Sequence, residues 1–212
     1  MQANTGVDSG ATLSCMQEKT FVTESTLIED AFKLGVQVFN SGLRPTFVVG
    51  LWRGGSSVGI YVQECLQHLG VETNHIALRT SYRGIDAYHS MVENPADNIR
   101  VHGTQYLLEA LHAEDRLLIV DDVCGSGWTL QVVHERLRHK LKRNMATDTR
   151  SAVIWHKPAQ NRSGQIPDYF LHQTDEWLVL PYELTGLSAE EIRRHKPGAA
   201  ALLAASGHLD DG

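Results

Sequence analysis

Two short apolar runs constrain what this chain can fold into. Thr46-Phe-Val-Val-Gly-Leu51 and Arg116-Leu-Leu-Ile-Val120 lack the polar–apolar alternation of a strand with one wet face, and such runs belong to strands buried on both sides. Each leads through a glycine-containing turn into helical spacing. Val58 to Leu69, before Gly70, follows the first, and Thr129 to Lys142 follows the second, with Leu130, Val133, Leu137 and Leu141 on one face. Buried strands alternating with helices imply a Rossmann-like parallel sheet with helices on both faces, and such α/β sheets bind ligands beyond the carboxyl ends of their strands. The loops after Leu51 and Val120 are therefore where a site is expected.

The rest of the chain extends the alternation. Thr26-Leu-Ile-Glu29 has the form of a capping box and opens a first helix carrying Leu27, Ala31, Phe32, Leu34 and Phe39, with Gly42 as its stop. Residues 72–79 read as a strand, 80–98 as a long polar loop, 99–102 as a short strand and 104–112 as a helix. Ser151 to Trp155 is a further strand, and short segments follow near 168–171 and 177–180. Residues 1–20 are small and polar and are expected as a disordered leader, with Met16 a candidate natural start that N-terminal mass analysis would decide. Residues 197–212, rich in Ala and Gly after a breaking proline, are expected as a flexible tail. That leaves one folded domain over 21–196.

Composition narrows the setting. With 212 residues, 42% of them apolar, the chain can bury roughly 70% of its unfolded surface and needs no disulfide or structural metal. Cys15, Cys65 and Cys124 are odd in number and form no C-x-x-C pair, which points to a reducing, cytoplasmic setting. A net charge of −6 argues against nucleic acid as a partner. No run has the length of a membrane span, and residues 1–20 lack the cationic start and apolar centre of a signal peptide.

The most informative segment is Val120-Asp-Asp-Val-Cys-Gly-Ser-Gly-Trp-Thr-Leu130. Neighbouring residues on an extended chain point to opposite sides, so Asp121 and Asp122 cannot both face the core. Together they suit sugar hydroxyls and a hydrated Mg²⁺. Gly125, Ser126 and Gly127 let the backbone turn with its amides exposed at the start of the next helix, an anion pocket completed by the hydroxyls of Ser126 and Thr129. An acid pair beside a phosphate cradle points to a sugar phosphate. There is no G-x-x-x-x-G-K-[ST] and no G-x-G-x-x-G, so neither a P-loop nor a dinucleotide site is indicated.

This segment resembles the phosphoribosyl pyrophosphate (PRPP) motif of the type I phosphoribosyltransferases, whose fold adds a small base-binding hood to the sheet. Leu51-Trp52-Arg53-Gly54-Gly55-Ser56-Ser57 looks like that family's pyrophosphate loop, in which a basic residue precedes two glycines and the peptide before it is often cis. Ser81-Tyr82 resembles the pair in a mobile flap of the hypoxanthine and xanthine-guanine branch. Trp155-His156-Lys157-Pro158-Ala159 and Asp175-Glu-Trp-Leu-Val-Leu-Pro-Tyr-Glu183 resemble the purine-binding segments of bacterial xanthine-guanine and hypoxanthine phosphoribosyltransferases.

The resemblance implies that Asp121, Asp122 and Arg53 carry the transfer. PRPP would be bound by Trp52, Arg53, Gly54, Gly55, Ser81, Tyr82, Asp121, Asp122 and the turn Gly125, Ser126, Gly127, Trp128 and Thr129. Lys157 would donate to a purine 6-oxo group, Trp177 would stack on the base, and Leu178 would offer backbone groups to its edge. Mg²⁺ would be held with help from Asp121, Asp122 and Glu183. A protonated lysine selects a carbonyl acceptor against the amino group of adenine.

Two departures stand out. Gly125 occupies the place of a third aspartate that faces N7 of the base in 6-oxopurine enzymes, and Glu183 replaces a late aspartate. A general base is typically worth about 10²- to 10⁴-fold, whereas positioning contributes about 7–11 kcal/mol, so transfer survives the first change. His134-Glu-Arg-Leu-Arg-His139 is not H-E-x-x-H and reads as solvated surface, and Cys124 reads as a passive filler.

The activity expected is transfer of phosphoribosyl from PRPP to hypoxanthine, guanine or xanthine, giving a nucleoside 5′-monophosphate and pyrophosphate. Gly125 keeps open another heterocyclic base, and a PRPP- or nucleotide-sensing regulator without turnover is a third reading. The family resemblance also implies a homo-oligomer, dimer or tetramer.

Overall fold

A computed structural model describes residues 18–82 and 99–209. In chain order its elements are β1 (Lys19–Phe21), α1 (Glu24–Asn40), β2 (Phe47–Trp52), α2 (Gly54–His68), β3 (Asn74–Tyr82), β4 (Ile99–His102), α3 (Gln105–Ala110), β5 (Arg116–Cys124), α4 (Trp128–Leu141), β6 (Asp148–His156), β7 (Tyr169–Gln173), β8 (Trp177–Val179), α5 (Ala189–His195) and α6 (Pro197–Ala205). Six strands form one sheet in the order β4-β3-β2-β5-β6-β7, parallel throughout except for the edge strand β4.

Strand alternation sorts the apolar runs onto two faces. Val48, Leu118, Val120, Ala152 and Ile154 pack against Leu27, Ala31, Leu34 and Val38 of α1 and Val58, Val62 and Leu66 of α2. Val49, Leu51, Leu117, Ile119 and Val153 face the other way, onto Leu107 of α3 and Leu130, Val133 and Leu137 of α4. Both faces are dry, which is why Phe47–Leu51 of β2 and Leu117–Val120 of β5 show no polar positions. A buried carboxylate sits in the first layer: Asp30 of α1 accepts from Lys33 at 2.8 Å and pairs with His172 of β7 at 2.7 Å.

A smaller unit stands at the carboxyl end of the sheet. β1 and β8 form a two-stranded parallel ribbon that pairs Lys19 with Trp177 and Thr20 with Leu178. Lys19 reaches Glu191 of α5 at 2.8 Å, and Phe21 stacks on His195 with ring centroids 3.7 Å apart. This ribbon fits the hood that the family resemblance implies.

Several boundaries differ from those expected. Thr23, not Thr26, caps α1: its hydroxyl accepts the Thr26 amide at 3.1 Å. The Val22 amide is bonded to the Val179 carbonyl, which keeps the chain extended up to the cap. α2 begins at Gly54, four residues ahead of Val58, because the chain leaves β2 at Arg53 and turns at once; two glycines, poor helix formers, concealed that start. Residues 1–17 of the expected leader lie outside the described residues, and Lys19–Phe21 form β1. The expected tail contains α6. Its alanines are strong helix formers, and Ala200 and Leu209 pack on Ile192 of α5. Among the described residues no helix is long and apolar enough to cross a membrane.

Candidate active site

The carboxyl ends of β2, β5 and β6 gather the residues singled out by motif. β5 runs on through Asp121 and Asp122 to Cys124, with Asp121 paired to Val153 and Val123 to Trp155, so both acids lie on a strand rather than in a loose turn. The first turn of α2 lies directly on them. A Cβ on Gly55 would come within 2.5 Å of the Val120 carbonyl and 2.7 Å of both the Cα and Oδ1 of Asp121, and one on Gly54 would overlap the Asp122 carboxylate and the Tyr182 hydroxyl. Only glycine permits this approach, so the two motifs are halves of one contact. The peptide between Trp52 and Arg53 is cis, as the resemblance implied. Trp52 and Arg53 stand exposed on the rim.

The acids are not equivalent. Burial pushes the Asp121 carboxyl well above the usual range and the neighbouring Asp122 pushes it further, against the pull of the Asp122 and Gly55 amides. Asp122 accepts its own Val123 amide at 2.7 Å and, on Oδ2, the Tyr182 hydroxyl. Cys124 is buried, its thiol raised to about 11 first by that burial and then by Asp121, so it stays protonated, as a filler would.

Beyond Cys124 the chain makes the expected turn. Gly127 caps α4 with a φ of 79°, and the open side of its Cα faces the segment after Lys157. A Cβ there would overlap the Ser163 hydroxyl and lie 3.1 Å from Asn161 Oδ1. Ser126 contributes its carbonyl to the Arg162 and Ser163 amides, each at 3.1 Å, so residues 161–165 buttress the turn from outside. Gly125 has ordinary backbone, and a Cβ on it would meet only Gln160 Oε1 at 3.5 Å.

On the base side, Cys124 pairs with His156, and the Lys157 amide donates to the Cys124 carbonyl at 2.9 Å. Lys157 is buried and its Nζ donates to the Glu176 carbonyl at 2.5 Å. Burial lowers its pKa, while Asp175, Glu176 and Glu183 hold the charge in place. Trp177 is half-exposed, with the Lys19 ammonium 5.5 Å from its ring centroid, and Leu178 is half-buried beside it. Glu183 accepts the Leu180 amide at 3.1 Å.

The structure thus brings Gly54, Gly55, Asp121 and Asp122 into contact and puts Lys157 next to the glycine turn that follows Cys124. Ser81 and Tyr82 are placed differently: they end β3, paired with Arg100 and Ile99, rather than opening a loop, and residues 83–98 lie outside the described residues. Glu183 sits in the turn after β8, and among the described residues no three His, Cys, Asp or Glu side chains are grouped to hold a metal ion. Motif reading missed Tyr182, whose contact with Asp122 spans 60 positions. It missed Asn161 and Ser163 as well; a polar, glycine-containing stretch after Lys157 was their one available signal.

A family profile described as "Phosphoribosyl transferase domain" matches residues 26–185, within the 21–196 expected for the domain. No curated protein sequence matches the chain. Solved structures share the fold. A purine phosphoribosyltransferase from Pyrococcus horikoshii superposes with a TM-score of 0.58 at 21% identity, covering 80% of this chain and 97% of its own. A Helicobacter pylori xanthine-guanine-hypoxanthine phosphoribosyltransferase gives 0.61 at 16% identity, covering 84% and 100%. A Neisseria gonorrhoeae hypothetical protein with bound ppGpp gives 0.61 at 20%, covering 87% and 98%. Family profile, sheet order and the acid pair seated under a glycine turn agree: the chain belongs to the type I phosphoribosyltransferases, pentosyltransferases that draw their phosphoribosyl group from PRPP.

Proposed function

We propose that the protein transfers phosphoribosyl from PRPP to a 6-oxopurine, hypoxanthine, guanine or xanthine, releasing pyrophosphate. The observation that carries this reading is the contact between Gly54-Gly55 and Asp121-Asp122, which sets a ribose-binding acid pair against a pyrophosphate loop. In the reaction the C1–O bond to pyrophosphate breaks and a C1–N bond to the base forms. Positive charge grows on the ribose, whose hydroxyls Asp121 and Asp122 accept, and negative charge grows on the pyrophosphate, which meets Arg53 and the amides of Gly54 and Gly55. Trp52, Ser81 and Tyr82 belong to the same proposed PRPP-binding set, and the amides and hydroxyls of the turn from Gly125 to Thr129 hold the 5′-phosphate.

The donor set fits Mg²⁺, on which the family generally depends. This hard cation keeps several waters and is held by one or two carboxylates plus substrate phosphates. A half-buried acid pair on which no salt bridge falls among the described residues suits such a site, with Glu183 in the neighbouring turn. When bound, the ion offsets charge on the leaving pyrophosphate.

Lys157 supports an oxo acceptor. One of its three donors is spent on the Glu176 carbonyl, which aims the ammonium along the base edge, while Trp177 offers a ring face and Leu178 backbone groups. Cytoplasmic location and a dimeric or tetrameric state belong to the same proposal. Gly125 favours a second reading, another heterocyclic base, because no side chain stands where the oxopurine enzymes place an acid. A panel of bases with PRPP and Mg²⁺, read by pyrophosphate release, separates them. Turnover of the three oxopurines is expected; turnover of adenine, uracil or orotate alone would establish the second reading. PRPP binding with no turnover of any base would mark a sensor.

A further inference from the structure

We propose that Tyr182 is a positioning residue for Asp122 and that it ties the acid pair to the C-terminal helices; this rests on the PRPP reading above. The Asp122 carboxylate is held from two sides, Oδ1 by the Val123 amide at 2.7 Å and Oδ2 by the Tyr182 hydroxyl. Two donors on different oxygens fix the carboxylate plane, and each oxygen keeps a further lone pair for a substrate hydroxyl. The Val123 amide comes from the acid's own strand, whereas Tyr182 comes from the turn after β8.

That turn is itself braced. The Glu183 amide donates to the Leu180 carbonyl at 3.0 Å, and the Leu180 amide donates to Glu183 Oε2 at 3.1 Å. Lys196, between α5 and α6, donates to the Leu180 carbonyl at 2.8 Å and the Pro181 carbonyl at 2.9 Å. The phenol oxygen also fills the space beside Gly54, so one side chain touches the ribose acid and the pyrophosphate loop together. Removing the hydroxyl takes from Oδ2 the donor that comes from outside the acid's own strand and leaves the carboxylate freer to turn away from the geometry that meets ribose. A phenol that merely blocked the site would have the opposite effect, since its loss would open the acid to PRPP.

The test uses the full chain, Mg²⁺ and PRPP, with the base that proves active. Y182F is expected to lower kcat/KM for PRPP and its binding affinity by about tenfold, the worth of a hydrogen bond to a charged acceptor. KM for the base and the circular dichroism spectrum should not move, and the melting temperature should fall by no more than several degrees. In a D122A background the same substitution should add less than about twofold, because it acts through the missing carboxylate. K196M, which loosens the turn without touching the site, should reproduce about a threefold part of the PRPP effect. Unchanged or tighter PRPP binding by Y182F, or a full tenfold effect retained in D122A, would overturn the proposal. Calorimetry separates this from the underlying reading. No PRPP binding by the wild-type chain would defeat both, whereas equal affinity of wild type and Y182F would defeat only the role of Tyr182.

Discussion

Gly55→Ala puts one methyl group where the two halves of the site meet. Its Cβ would lie 2.5 Å from the Val120 carbonyl oxygen, and ordinary contact begins near 3.4 Å, so helix and strand must separate locally by about 0.9 Å. Neither side gives easily. The obstacles are backbone atoms of a central strand, and α2 is pinned behind by Val58, Val62 and Leu66, none of which is exposed. Forcing a methyl into such a contact costs about 1–3 kcal/mol. At about 2–4 °C per kcal/mol for a chain of this size, the melting temperature should fall by several degrees. Chemistry should suffer more. Arg53 and the α2 amides would retreat from Asp121 and Asp122 by nearly 1 Å, a misplacement worth about 10²-fold in rate. The assay is pyrophosphate release across PRPP concentrations, with differential scanning fluorimetry beside it. Gly198→Ala is the control: its Cβ meets nothing within 4 Å, and alanine in α6 should stabilise by about 0.5–1 kcal/mol. A G55A enzyme with wild-type kcat/KM for PRPP would refute the claim that this contact organises the site.

Three further outcomes follow from the same geometry. Burial and Asp122 raise the Asp121 carboxyl, so folding takes up a proton between the unfolded value of 3.8 and the raised folded one; stability falls as pH rises through that window and is flat above it. D121N should therefore melt higher than wild type at pH 7 in the absence of ligand, the gap closing towards pH 3.8, while transfer is lost; lower melting at pH 7 would contradict this. Asp30 has the opposite sign. Burial alone would raise it, but the hydrogen bonds from Lys33 and His172 outweigh burial and lower it, so its stabilisation is present above 3.8 and is lost as pH falls through the folded value. Solvent screens both partners, so D30N should cost only about 1 kcal/mol at pH 7 and nothing at acid pH, as pH-dependent urea melts would show. G125D finds room at ordinary backbone dihedrals, and should fold normally and raise oxopurine turnover by about 10²-fold, the lower end of a positioned base. Unchanged kcat/KM across the base panel would show that nothing is missing at this position.

Local patterns carried the sequence reading where they coincide with one element. Val48, Val49, Leu118 and Ile119 declare strands buried on both faces because a strand that meets no water needs no polar position, and the class of fold follows from two such runs with helices between them. Asp121-Asp122 and the turn to Thr129 were legible because a sugar-phosphate cradle is built from consecutive residues. Helix starts and the C-terminal segment were not. Gly54 and Gly55 are poor helix formers whose place in α2 is paid for by contact with β5, and the alanines of α6 became a helix that packs on α5 instead of a tail. Inequality of the two acids, the bond from Tyr182 to Asp122 and the seat of Lys157 on the Glu176 carbonyl belong to the tertiary structure alone. Each depends on groups from different elements meeting at atomic distance, and a linear order of side chains holds no record of which strand ends the sheet brings together.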